Sequence, residues 1–269
     1  VTTKMPVIAL RGLTVFPNVL IHFDVARDIS IKALEASMKA GQPILLVGQK
    51  DIAVEEPGQE DLYTIGTIAN VRQILRMPGD NIRVMVEGQA RGMMLQLTQD
   101  EPYLMADVQT LTEQSFRDSA KTEALMRATY DLFQTYTELA PKVSPDLLIH
   151  VLGSQDPGYI ADYIAQNIPM RNADKQIILE ELRPVRRLER LFKLLEREVD
   201  ILALDNEIQS KAREQMANQQ RDYFLREQMK VIREELGEED EYSEFAEYEK
   251  KILLLNQKRF HHCYLIQVQ

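Results

Sequence analysis

The hydrophobic pattern along the chain changes period near residue 113. Before that point, apolar residues alternate or run in short β-branched blocks broken by Gly, Pro and Asn. "MPVIALRG" and "VLIHFDVA" read as strands joined through a turn at Pro17-Asn18, and "PILLVGQK" as a buried strand. One helix interrupts them. In "DISIKALEASMKAG" Asp28 can cap the start, Ile31, Leu34 and Met38 share a face, and Gly41 ends it. An acidic loop, "DIAVEEPGQED", leads to strands over Leu62–Met77 and Ile82–Glu87 connected by "PGDN". "GMMLQLT" and "YLMADVQTL" complete a strand-rich half, predicted to be a mostly antiparallel barrel or sandwich with one helix.

After residue 113 the period becomes helical. "SAKTEALMRATYDLFQTYTELA" gathers Leu125, Leu132, Phe133, Tyr136 and Leu139 on one side. Ser144-Pro145 and Asp156-Pro157 each read as an N-cap followed by proline at the first helical position, opening short helices. "NADKQIILEEL" makes another. Between Pro184 and Gly237 no proline or glycine occurs, which predicts one helix about 80 Å long. A compact bundle cannot enclose that length. Its apolar seam is clear at Leu188, Leu191, Leu195, Val199 and Leu202, and thins through Ile208, Ala212 and Met216. It resumes in "RDYFLREQMKVIREELGE", where Leu225, Met229, Ile232 and Leu236 form a stripe with no visible partner. That stripe is expected to meet another domain or subunit, to fold back on the bundle, or to lack order when alone. The domains predicted are 1–112 (β-rich), 113–182 (helical), 183–237 (long helix) and 238–269 (acidic helix and tail).

Charge sharpens this division. Residues 183–236 carry twelve basic and eleven acidic side chains, the mixture of a solvated helix or coiled coil. The whole chain has a net charge of -10, which argues against a general binder of phosphate backbones. A single cysteine, Cys263, excludes a disulfide framework and a thiolate metal cluster. No apolar run approaches the roughly 20 residues of a membrane span. The first residue is Val, so either the initiator Met is missing or the chain is an excised piece; with one cysteine and no signal-peptide layout, a reducing, cytoplasmic setting is expected.

Catalytic signatures are absent. "GSQDPGYI" has two glycines at phosphate-loop spacing, but Tyr159 and Ile160 stand where Lys and Ser or Thr are required. There is no G-x-S-x-G and no H-E-x-x-H. His22 and His150 read as structural, and His261, His262 and Cys263 are too close in sequence to converge on one ion. "RPVRRLER" reads as the charged flank of a helix, because glutamates interleave with it. No catalytic, cofactor-binding or metal residue is assigned.

One non-catalytic pattern stands out. Strand alternation groups Ile82, Val84 and Val86 on one face, Met93, Leu95 and Leu97 on another stretch, and Leu104, Ala106 and Val108 on a third. If these form the core, the opposite face displays Met85, Met94, Tyr103 and Met105, with Met77-Pro78 at the hairpin tip. Methionine recurs on adaptable binding surfaces, so these six are candidate contacts of a binding face. The scarcity of large exposed apolar patches favours the alternative, in which this face packs on the helix or the helical half.

Taken in order, "PVIALRGLTVFPNVLIHFDVARDISIKALE", "RVMVEGQARG", "EALMR" and "RDYFLREQMKVIREELGE" resemble the amino-terminal region of bacterial Lon, the ATP-dependent protease. The resemblance runs from about Met5 to about Gly237. It implies an α+β fold: a PUA-like antiparallel β-barrel with a short helix, then a helical bundle and a very long helix. It also implies recognition of unfolded, damaged or degron-bearing proteins and assembly with other Lon subunits into a homohexamer. The ATPase and Ser-Lys protease parts of that family match nothing in this chain, so ATP and Mg are implied only for a full-length protein. After "EYEKKILLLN" the chain departs from the family's pattern, and an altered tail is expected. Two other readings compete: a nucleic-acid-binding module, because PUA-like folds include RNA binders, and a purely structural coiled-coil spacer. No membrane partner is implied.

Overall fold

The computed structural model describes residues 2–76, 82–140, 143, 144, 146–236, 248, 250 and 251. The chain divides into two compact units, Val1–Leu204 and Asp205–Gln269. The first unit begins with strands β1 (Thr2–Leu10) and β2 (Leu20–Val25), helix α1 (Asp28–Ala40), and strands β3 (Ile44–Gly48), β4 (Ile65–Arg76), β5 (Ile82–Gln99) and β6 (Met105–Thr110). They form one sheet in the order β2-β5-β4-β3-β1-β6, and an additional β5–β6 pairing closes five of the strands into a barrel. The closing strand is β5. Its first part pairs with β2 and its last part with β6, while β4 follows it along most of its length. The sequence pattern predicts two strands there, and the 18-residue β5 is instead continuous. One pair departs from the antiparallel expectation: β1 and β3 run parallel, because α1 provides a crossover between them. The sheet is therefore mixed.

Closure brings backbones close at Gly92. A Cβ there would stand 2.8 to 3.0 Å from side chains of Ile68, Val108 and Leu45, so only hydrogen fits without displacement. Ile82, Val84, Val86, Leu104, Ala106 and Val108 are buried, as alternation predicts. The predicted faces are reversed further along β5. Because β5 is continuous, Met94 shares the parity of Ile82, Val84 and Val86 and turns inward while Leu95 is exposed; the register shifts at Met94/Gln96 and Leu97/Gln99 come after it, and Leu97 still packs on the core. On α1 the predicted Leu34 is buried and Ile31 packs against the core, while Met38 is exposed and Ser30, Ala33 and Ser37 complete the buried face. Small side chains let this helix lie close against the sheet.

Four helices follow: α2 (Ala120–Leu139), α3 (Leu147–Leu152), α4 (Pro157–Asn167) and α5 (Asn172–Glu180). Ser119 caps α2 by accepting from Thr122 N–H. Asp156 caps α4 by accepting from Gly158 N–H, with Pro157 at the first position as predicted. The last helix, α6 (Pro184–Leu236), is the 53-residue element that the absence of breakers predicts. Leu188, Leu191 and Leu195 are buried in the helical core with Phe133, Tyr136 and Ile164, and Val199 and Leu202 pack against it. Phe16, from the segment between β1 and β2, joins the same core and ties the barrel to the helices.

Candidate functional site

The predicted methionine face does not form a single surface. Met85 lies on the outside of the barrel, half-buried between His22 on β2 and Gln73 on β4. Leu20 and Leu75 share that side and are 60% and 47% exposed, among the Arg83–Asp24 and Arg72–Glu87 ion pairs. Met94 is corrected: it is 4% exposed and belongs to the barrel core. Tyr103 packs half-buried against the second barrel cluster, and Met105 pairs with Pro6 and Gln99 near the far end of β5 from Met85. Met77 and Pro78 lie outside the described residues.

The seam of Leu225, Met229, Ile232 and Leu236 belongs to the second unit and is exposed on a regular helix. Of the expected outcomes, lack of order in a single chain is corrected, because α6 is regular through Leu236. His22 and His150 are both solvent-facing, His150 with its ring 5.2 Å from that of Tyr163. His261, His262 and Cys263 lie outside the described residues. No cluster of metal-ligating side chains occurs among the described residues, and among them no helix is long and apolar enough to cross a membrane.

A groove of about 930 Å³ opens beside the end of β1. Ala9, Ile29, Leu97 and Leu104 make its floor, all packed in or against the barrel core. Its walls are charged in two zones. Arg11 and Arg27 stand together around Gln49: Arg27 donates to the Gln49 side-chain oxygen, while Gln49 Nε2 and Arg11 Nη2 both donate to Val54 O at 2.9 Å. Acidic residues come from elsewhere, Glu55 and Glu56 from the loop after β3, and Asp100 and Glu101 from the β5–β6 turn. Burial, with repulsion from Arg11, pulls the Arg27 guanidinium below its ordinary value.

Apart from the groove, a buried ion network that the sequence pattern did not reveal joins the barrel to the helices. Arg91 on β5 and Arg187 on α6 are both fully buried and converge on Asp162 of α4. Arg91 Nη2 donates to both Asp162 oxygens at 2.7 and 2.9 Å, and Arg187 Nη1 donates to Asp162 Oδ2 at 2.9 Å. Both arginines also donate to Glu113 Oε1, and their Nε groups donate to Leu179 O and Glu181 O. Burial drives the Asp162 carboxyl up from its ordinary value, and the two guanidiniums pull against it. Two cations and two anions thus cancel where barrel, linker and helices meet. The sequence pattern places Arg187 in the charged flank of a helix, and Arg91 stands in a strand that also carries Arg83 and Glu87, so neither is marked as buried by its neighbours along the chain.

A closed barrel followed by a helical bundle is a fold already seen in solved structures. The N-terminal domain of Lon protease from the Mycobacterium avium complex superposes with a TM-score of 0.58 at 18% identity, covering 72% of this chain and 98% of that one. A Lon N-terminal domain protein from Xanthomonas campestris gives 0.52 at 14%, covering 71% and 98%. At such identities the likeness establishes the fold. The sequence carries the rest: residues 4–197 match the family described as the ATP-dependent protease La (LON) substrate-binding domain, and the chain belongs to that family. Lon protease of Clostridioides difficile is 39% identical over 254 residues, covering 93% of this chain and 32% of that protein. Lon protease of Brevibacillus choshinensis is 41% identical, covering 88% and 30%. The chain therefore spans about a third of the length of these relatives.

Proposed function

We propose that this chain is the substrate-recognition region of an ATP-dependent serine protease of the Lon type, acting in the cytoplasm on unfolded, damaged or degron-bearing proteins. The observation that carries the reading is the substrate-binding family match over residues 4–197, which falls on the unit bearing both the groove and the exposed apolar residues. ATP and Mg belong to the parts of the full-length protein that unfold and cut. This region holds no catalytic role of its own in the proposal. Its surface suits loose selection: Leu20, Met85 and Leu75 offer apolar contact without a deep pocket that would demand one side chain. Assembly with further Lon subunits into a homohexamer is part of the same proposal, with Leu225, Met229, Ile232 and Leu236 as an exposed apolar seam for that contact or for the ATPase module.

The test compares binding of a permanently unfolded protein with binding of its folded form, by fluorescence anisotropy on the full chain. Preference for the unfolded form is expected, and Leu20→Gln with Met85→Gln should weaken it while the thermal midpoint holds. Equal binding of both forms refutes the recognition role; unchanged affinity of the double variant removes this face from it. The nucleic-acid alternative requires a basic footprint, and the net charge of -10 opposes it.

A further inference from the structure

The 930 Å³ groove has a charge pattern that a generic apolar contact does not need. Its cationic zone is two guanidiniums, Arg11 and Arg27, neither of which has a carboxylate partner among the described residues. Five carboxylates line the same groove, Asp28 with the four named above, yet none of them pairs with either arginine. Instead, Gln49, itself 4% exposed, holds the pair in place by accepting from Arg27 and sharing the Val54 carbonyl with Arg11. Two like charges held together with no described carboxylate in contact, one of them partly buried, form an unfilled anion position. The remaining length of groove has an apolar floor and acidic walls, so it suits apolar and basic side chains and repels acidic ones.

We propose that this groove receives the C-terminal end of an unfolded polypeptide, with the terminal carboxylate on Arg11 and Arg27 and apolar or basic side chains along Leu97, Leu104, Glu55 and Asp100. A chain terminus satisfies both zones at once. An internal Asp or Glu would place a carboxylate on the arginines but would carry chain onward in both directions from a zone pinned against the Gln49 loop. The proposal rests on reading the chain as a recogniser of unfolded polypeptide and adds a preferred end. The guanidinium forks supply several donors for one carboxylate, which an ammonium could not match in geometry.

Three fluorescein-labelled octapeptides of leucine and lysine test it against the full chain by anisotropy: one with a free carboxylate, one amidated, and one amidated with a central aspartate. The free acid should bind at least about tenfold more tightly than the amide, the loss expected of one charge-assisted hydrogen-bonded pair. Arg11→Gln and Arg27→Gln should each bring the two to parity. Arg11→Gln is the safer of these, because Arg11 is exposed and its change leaves the Arg27–Gln49 bond in place. Equal binding of acid and amide overturns the proposal without any variant. Tightest binding of the aspartate peptide overturns the commitment to a chain end. Failure of all three peptides, with an unfolded protein still bound, overturns the proposal and leaves the recognition reading standing.

Discussion

Removing the charge of Asp162 tests the claim that barrel and helices are joined by a sealed, neutral network. Asp162→Asn keeps the shape but leaves Arg91 and Arg187, both fully buried, with only Glu113 between them as counter-charge. Glu113 is 40% exposed at its side chain, so solvent weakens its compensation. One amide nitrogen also replaces an oxygen that accepts from a guanidinium, turning an acceptor into a donor facing donors. Breaking a buried pair from one side costs about 3–5 kcal/mol because the remaining charge is left uncompensated. In a unit of this size each kcal/mol moves the midpoint by about 2–4 °C, so a fall of about 6–20 °C is expected. Circular dichroism melts of the full chain, supported by urea titration, measure it. The control is Arg83→Gln on the barrel exterior, where the solvent-screened pair with Asp24 should cost little when broken. A loss at Asp162→Asn no larger than at Arg83→Gln would refute the reasoning, since it would mean the buried charges are free to relax to water.

Further perturbations follow from the same geometry. The Glu181 carboxyl is held below its ordinary value by a hydrogen bond from Arg183, against the opposing effect of burial, with Arg190 also drawing it down. A depressed carboxyl stabilises above its unfolded value and loses that contribution as pH falls through its folded one. Glu181→Gln should therefore lower the midpoint at pH 7 and converge with the parent once the pH has fallen below the folded-state value of this carboxyl; a difference that persists in strong acid contradicts this. Gly88→Ala places a Cβ 2.3 Å from the Phe16 carbonyl oxygen, and displacement of that segment should cost about 1–3 kcal/mol in urea titration. Met94→Ala should destabilise by about 2–5 kcal/mol as a core truncation, while Met85→Gln stays within about 0.5 kcal/mol. Comparable effects of the two would restore Met94 to the surface.

What was legible from sequence was whatever depends on neighbours along the chain. The period of the pattern separates strands from helices, Asp156-Pro157 marks the start of α4, and the run without breakers from Pro184 predicts α6. The order of short motifs pointed to the family that residues 4–197 match. What only the tertiary structure decided depends on distant residues meeting. Pairing with both β4 and β6 makes β5 one continuous strand, so Met94 takes the inward phase set by Ile82, Val84 and Val86 and Leu95 the outward one; reading "GMMLQLT" as a separate strand set the opposite phase. Arg91, Glu113, Asp162 and Arg187 lie on separate elements, and each alone reads as an ordinary charged residue. The groove is likewise assembled from β1, α1, the loop after β3 and the β5–β6 turn. Local chemistry sets the elements, but a buried charge or a cavity exists only once folding brings its parts together and removes the water between them.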